Sequence, residues 1–126
     1  MRSHSVLVVD DDGDLRGLVA MMLEAEGHVV LQAEHGRHAL DSIATAPPHL
    51  IVLDLTMPVM DGRAFLDQKA KGEHAAIPVV IFSSAPPEEI ESLASVVSVV
   101  HKLSGVEALL EAIKGASERL AGPCAA

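Results

Sequence analysis

Five short runs of Val, Ile and Leu, each followed by a stretch of different period, constrain this chain more than any other feature. The runs are "SVLVV" (5–9), "VVLQA" (29–33), "LIVLD" (50–54), "VVIFS" (79–83) and "VVSVVH" (96–101). Short continuous apolar runs of this kind suit strands covered on both faces. Between them the apolar residues recur at helical spacing. Leu15, Leu18, Val19 and Met22 end before Gly27, Ala39, Leu40 and Ile43 stop at Pro47-Pro48, and Phe65, Leu66 and Ala70 follow Gly62 and stop near Gly72. Glu88 to Ser95 makes a short segment after Pro86-Pro87, and Val106, Leu109, Leu110, Ile113 and Leu120 mark a final helix closed by Gly122-Pro123. Strand and helix in strict alternation predict a single α/β domain, a parallel sheet wrapped on both sides. The domain is expected to span residues 1–121, with 122–126 as a short tail.

In such a sheet, ligands bind beyond the carboxyl ends of the strands, near the switch in strand order. The residues at those ends are Asp10 and Asp11, Glu34, Asp54, Ser83 and Ser84, and Lys102. The first run passes directly into "DDDGD" (10–14). Two carboxylates roughly 5 Å apart repel by about 3 kcal/mol at an effective dielectric of about 20. A metal ion, a helix N-terminus or protonation must offset that. Asp54 ends the run "LIVL", where a charge is costly without a partner. Asp12 and Asp14 are placed to cap the first helix and complement its positive end.

The stretches "VLVVDDDGDLRGLVAMML", "AEHGRHALD", "PPHLIVLDLTMPVMDGRAFL", "IPVVIFSSA" and "VVHK" resemble, in order and over nearly the whole chain, the receiver domain of two-component response regulators. "LDLTMPVMDG", together with Lys102, is the most specific part. The resemblance implies a flavodoxin-like, doubly wound (βα)5 fold with strand order 2-1-3-4-5. It implies transfer of a phosphoryl group to Asp54 from a sensor histidine kinase or phosphotransfer protein, with slow self-hydrolysis. It also implies Mg²⁺ held by Asp10, Asp11, Asp54 and the backbone carbonyl of Thr56, with Asp10 acting through water. Lys102 would pair with one phosphoryl oxygen, and Ser83 would donate a hydrogen bond to another and move toward it. Such a domain catalyses its own phosphorylation and dephosphorylation without being a conventional enzyme, and signals to a downstream protein target. The chemistry agrees: a carboxylate is a weak nucleophile, transfer to it depends on neutralising the phosphoryl oxygens, and Mg²⁺ takes oxygen ligands.

Two other readings stand beside it. "VVDDDGDL" also resembles the strand-loop signature of haloacid-dehalogenase-like phosphatases, with Asp10 as nucleophile and Asp12 as general acid. That family needs a further acidic pair beyond the lysine, where only Glu107, Glu111 and Glu118 occur, in a helical pattern. It would also leave Asp54 unexplained. The second is a pseudo-receiver that binds a partner without being phosphorylated. Some positions depart from the receiver pattern. Leu103 follows the lysine in place of proline, so the Lys102–Leu103 bond is expected trans. Val99 stands where the family carries a switch aromatic, and the chain has no Tyr or Trp. The segment 86–99 is short and lacks a Gly-Ala turn, which predicts a stunted or irregular fourth helix.

Composition narrows the partners. A formal charge of −9 argues against nucleic acid or an anionic membrane surface. No run is long enough to span a membrane. "MRSHS" leaves no room for a signal peptide, and the lone Cys124 excludes an internal disulfide. A cytoplasmic, stand-alone domain is the expectation. Of seven histidines, His35 and His38 lack a zinc spacing, and His101, beside Lys102, has a possible tuning role. Met57, Pro58 and Met60 read as loop packing and Phe82 as core; the receiver resemblance further implies that Met57 borders the metal pocket and that Thr56 and Ala85 lie where receivers tune the lifetime of the acyl phosphate, their small side chains admitting water.

Overall fold

Val6 and Val8 turn to one side of the first strand, Leu7 and Val9 to the other, and all four are buried. That period-two division runs through the whole sheet. In the computed structural model, which describes residues 4–120 apart from Pro58, Ala85, Pro87 and Ala94, five parallel strands lie in the order β2-β1-β3-β4-β5. They are β1 (Ser5–Val9), β2 (Val29–Ala33), β3 (Leu50–Leu53), β4 (Val79–Ser83) and β5 (Val96–His101). The α-helices are α1 (Gly13–Ala25), α2 (Gly36–Thr45), α3 (Gly62–Ala70) and α4 (Gly105–Leu120). The architecture is the doubly wound, flavodoxin-like one.

The two faces have separate cores. Val6, Val8, Leu50, Val52, Val80 and Phe82 pack against Val19 and Leu23 of α1 and Leu109 and Ile113 of α4. Leu7, Val9, Ile51, Leu53 and Ile81 pack against Ala39 and Ile43 of α2 and Phe65 and Leu66 of α3. Each such side chain contributes about 1.5–3 kcal/mol when withdrawn from water, so both faces matter to folding.

The stunted fourth helix expected between β4 and β5 is a 3₁₀ segment, Glu88–Ser92, followed by a turn into β5, and two other expectations need correction. Two prolines open this stretch and only residues 88–95 remain before β5, too few to repay the cost of nucleating an α-helix. The fully buried Ile90 pins it to the sheet. On α3 the buried stripe is Gly62, Phe65, Leu66 and Lys69, whereas Ala70 is exposed. On α1, Leu18 lies 41% exposed beside the buried Val19. The peptide bonds of the described residues are all trans, Lys102–Leu103 included. Cys124, the tail 122–126, Pro58 and Ala85 lie outside the described residues, as does the side chain of Leu120.

At the sheet's edge, β5 pairs with β4 through a register shift. Val79 faces Val96 and Val80 faces Ser98, leaving Val97 as an extra residue in β5. Two glycines mark where backbones touch. A Cβ on Gly62 would sit 2.5 Å from the Asp54 carbonyl oxygen, and one on Gly36 would sit 2.7 Å from that of Met60. Gly62 N–H donates to Leu55 O at 3.0 Å and Gly36 N–H to Met60 O at 2.9 Å, so both helix starts are tied to the loop leaving β3.

Candidate functional site

Parallel register puts Val9 beside Leu53, so the two acids that follow them emerge side by side. Backbone bonds fix this: Asp54 N–H donates to Val9 O and Asp10 N–H to Ala33 O. Each carboxylate then divides its oxygens. Asp10 Oδ1 accepts from Asp12 N–H at 2.9 Å, and Asp54 Oδ1 accepts from Thr56 N–H at 3.3 Å. Their Oδ2 atoms face a cation. Lys102 Nζ lies 3.1 Å from Asp10 Oδ2 and 3.2 Å from Asp54 Oδ2, reaching inward from the end of β5.

Both acids are buried and the lysine is only partly exposed. Burial, and then the neighbouring Asp54 charge, push the Asp10 carboxyl above its ordinary value against the Asp12 N–H and Lys102. Burial works against the Lys102 ammonium, but the two carboxylates outweigh it and raise its pKa. One ammonium between two buried carboxylates leaves a net negative pocket. Asp11 adds a third carboxylate from the exposed side, and one oxygen from each of Asp10, Asp11 and Asp54 lies within 4.8 Å of the others. An all-oxygen donor set, exposed at Asp11 and buried at Asp10 and Asp54, fits a hard divalent ion that keeps several waters, as Mg²⁺ does.

Ser83 closes β4, 1% exposed, and its Oγ has no hydrogen-bond partner. An unmade bond on a buried hydroxyl costs about 1–3 kcal/mol, so the site holds a donor without its acceptor. Ser117 Oγ is in the same condition, but twelve residues along α4 carry it about 18 Å from that helix's start.

Asp10, Asp54 and Lys102 therefore meet directly, Asp11 adjoins them, and Thr56 touches Asp54 through its N–H. Glu34 and Ser84 are exposed strand-end residues outside this cluster. Asp12 takes the capping role: its Oδ1 accepts from Asp14 N–H and Leu15 N–H, which commits it to α1. Met57 is buried within the core under α2 and α3, and Phe82 in the core under α1 and α4.

Three supports complete the site, of which the sequence reading singled out only His101. Arg16 donates from Nη1 to Asp10 O at 2.8 Å and from Nε to Gln32 Oε1 at 3.0 Å, clamping the end of β1. Its signal was its place one turn into α1, facing the strand ends. His101 Nδ1 accepts from Leu103 N–H at 3.1 Å and so holds the 3₁₀ turn Lys102–Ser104 that presents the lysine. His35 likewise caps α2, accepting from His38 N–H. An imidazole acceptor is an uncommon cap, and the sequence gives it no distinctive spacing.

Comparison with known proteins agrees with this geometry. Residues 6–114 match the family model described as response regulator receiver domain. The nitrogen assimilation regulatory protein NtrX of Azorhizobium caulinodans is 42% identical over 83 residues, covering 64% of this chain and 18% of NtrX. The sensor histidine kinase TmoS of Ectopseudomonas mendocina is 36% identical over 86 residues, 68% of this chain and 9% of TmoS. The chain thus spans less than a fifth of either relative. Among solved structures, the receiver domain of the Francisella response regulator 1452 superposes with a TM-score of 0.82 at 28% identity, over 93% of this chain and 98% of that one. NtrX from Brucella abortus superposes with a TM-score of 0.81 at 32% identity, over 94% of this chain and 28% of that one. This chain belongs to the response regulator receiver family.

Proposed function

We propose that the chain accepts a phosphoryl group on Asp54, in a Mg²⁺-dependent reaction, from a sensor histidine kinase or phosphotransfer protein, and signals through contacts with a downstream protein. The observation that carries this is the Lys102 ammonium held against both Asp54 and Asp10, with a buried, partnerless Ser83 hydroxyl at the neighbouring strand end. Asp10, Asp11, Asp54 and the carbonyl of Thr56 would hold the metal. When bound, it supplies positive charge to the phosphoryl oxygens.

An Asp54 carboxylate oxygen attacks phosphorus, and the bond from phosphorus to the donor histidine nitrogen breaks with its electrons going to nitrogen. Lys102 is already in place to follow the charge from carboxylate to phosphoryl oxygen. Ser83 gains the acceptor it lacks, and its shift pulls on β4 and on the 3₁₀ segment packed beside β5. The face used for output is expected to be that of β4 and β5, with the half-buried Val99 in place of an aromatic lever. Asp12 Oδ1 accepts two N–H groups at the start of α1, a capping role that accounts for this acid without the phosphatase reading.

The test is intact mass after incubation with Mg²⁺ and acetyl phosphate, beside Asp54→Ala and a metal-free control. One phosphoryl group that requires both Mg²⁺ and Asp54 is the expected result. An adduct that survives loss of Asp54 but not of Asp10 overturns the assignment. Absence of any adduct, together with failure to bind beryllofluoride, would make the chain a pseudo-receiver.

A further inference from the structure

Helix α3 buries Gly62, Phe65, Leu66 and Lys69, a stripe of helical spacing whose last place holds a lysine. Lys69 is 3% exposed, and its Nζ donates to Ala75 O at 2.7 Å. Among the described residues no carboxylate pairs with it. An ammonium has three protons to place and here has one neutral acceptor, which is a costly burial. Burial accordingly lowers its pKa to about 8. Beside it, between α2 and the end of α3, lies a cavity of about 90 Å³ lined by the apolar Leu40, Ile43 and Ala44 and by Gln68 and Gly72. Ala44, Gln68 and Gly72 are exposed, so the cavity opens at the surface. The other titratable groups on its wall, Glu73 and His74, lie 3.5 Å from each other.

We propose that Lys69 is a site of side-chain acetylation by a small acyl phosphate. The neutral amine attacks the acyl carbon, the bond from that carbon to the phosphate oxygen breaks, phosphate leaves with the electron pair, and the amine's extra proton passes to water. The product suits its surroundings better than the ammonium does. An amide keeps one N–H for the Ala75 carbonyl, carries no charge, and adds an acetyl group of three non-hydrogen atoms beside a cavity of about 90 Å³. This chemistry is separate from phosphoryl acceptance. It attacks carbon rather than phosphorus, needs no metal and is independent of Asp54.

The full chain is incubated with acetyl phosphate in a metal chelator over a range of pH, and each lysine is followed by peptide mass spectrometry. Near pH 8, where about half of the Lys69 side chain is the neutral amine, it is expected to acetylate at least ten-fold faster than the exposed Lys71 and Lys114. Its rate levels off above about pH 8. In denaturant the preference disappears. If Lys69 in the folded protein reacts no faster than Lys71 and Lys114, or the preference survives unfolding, the proposal is overturned.

Discussion

The two faces of the sheet are built unequally. One is covered by α1 and α4, thirteen and sixteen residues long, whose buried apolar side chains pack against alternate strand residues, with the Ser117 hydroxyl as a small polar exception on α4. The other is covered by ten residues of α2, nine of α3 and five of 3₁₀ helix, and its stripe on α3 includes a lysine. Where the first face has a full helix, the second has Ile90 with the half-buried Leu93 and Val99 beside it. The end that carries Asp10, Asp54 and Lys102 lies between them and is anchored to both. The difference locates where the molecule can yield. A pull from Ser83 meets long, cooperatively folded helices on one side and a single pinned turn on the other.

The largest effect expected from testing this contrast comes from equal truncations on opposite faces. Ile113→Ala, in α4, should cost about 3–4 kcal/mol in denaturant unfolding followed by circular dichroism. Ile90→Ala should cost about 2 kcal/mol, because a 3₁₀ turn can settle toward the gap, and faster amide exchange should stay within residues 88–95. Equal costs, with protection lost throughout in both variants, would erase the distinction between the faces.

Lys69→Met sharpens the comparison in the opposite direction. Removing an uncompensated buried charge should stabilise the protein by about 1–2 kcal/mol at neutral pH. The sign with pH is definite. The folded pKa is about 8 against an ordinary 10.5, so between these values the unfolded chain binds more protons and stability rises with pH. Below that window the penalty is constant. Lys69→Met should flatten the rise, and unfolding midpoints measured across the window would show it. A wild-type midpoint that stays level there would mean that Lys69 is solvated after all.

The smallest effect concerns α1. Asp12→Ala removes the acceptor for two N–H groups and should cost about 1 kcal/mol, read as a lower melting temperature, while phosphoryl acceptance at Asp54 remains within a few-fold. Loss of acceptance with the fold intact would give Asp12 a chemical role and reopen the phosphatase reading.

All five strands were legible to within one residue, because buried parallel strands must be written in Val, Ile and Leu and the punctuation around them is strong. The site acids were legible for the complementary reason: Asp10 and Asp54 end apolar runs, where a charge needs a partner. The stunting of the fourth helix was legible from the prolines and the shortness of the segment, and two things were hidden. Lys69 was overlooked because the eye follows apolar letters to Ala70, although spacing from Phe65 and Leu66 leads to Lys69. Five imidazoles, those of His28, His35, His38, His49 and His101, accept backbone N–H groups through Nδ1. Nothing in a sequence distinguishes such a histidine from a solvated one.

The extra Val97 in β5 has a consequence for the protein in concentrated solution. Residues 96–100 form an uncharged, proline-free, valine-rich strand at the border of the sheet, the composition that templates fibrils when it lies flat. An inserted residue bends the strand and breaks its repeat of donors and acceptors, so a second molecule laid against it falls out of step after a residue or two. The irregularity that spoils the border as a ladder keeps neighbouring molecules from climbing it.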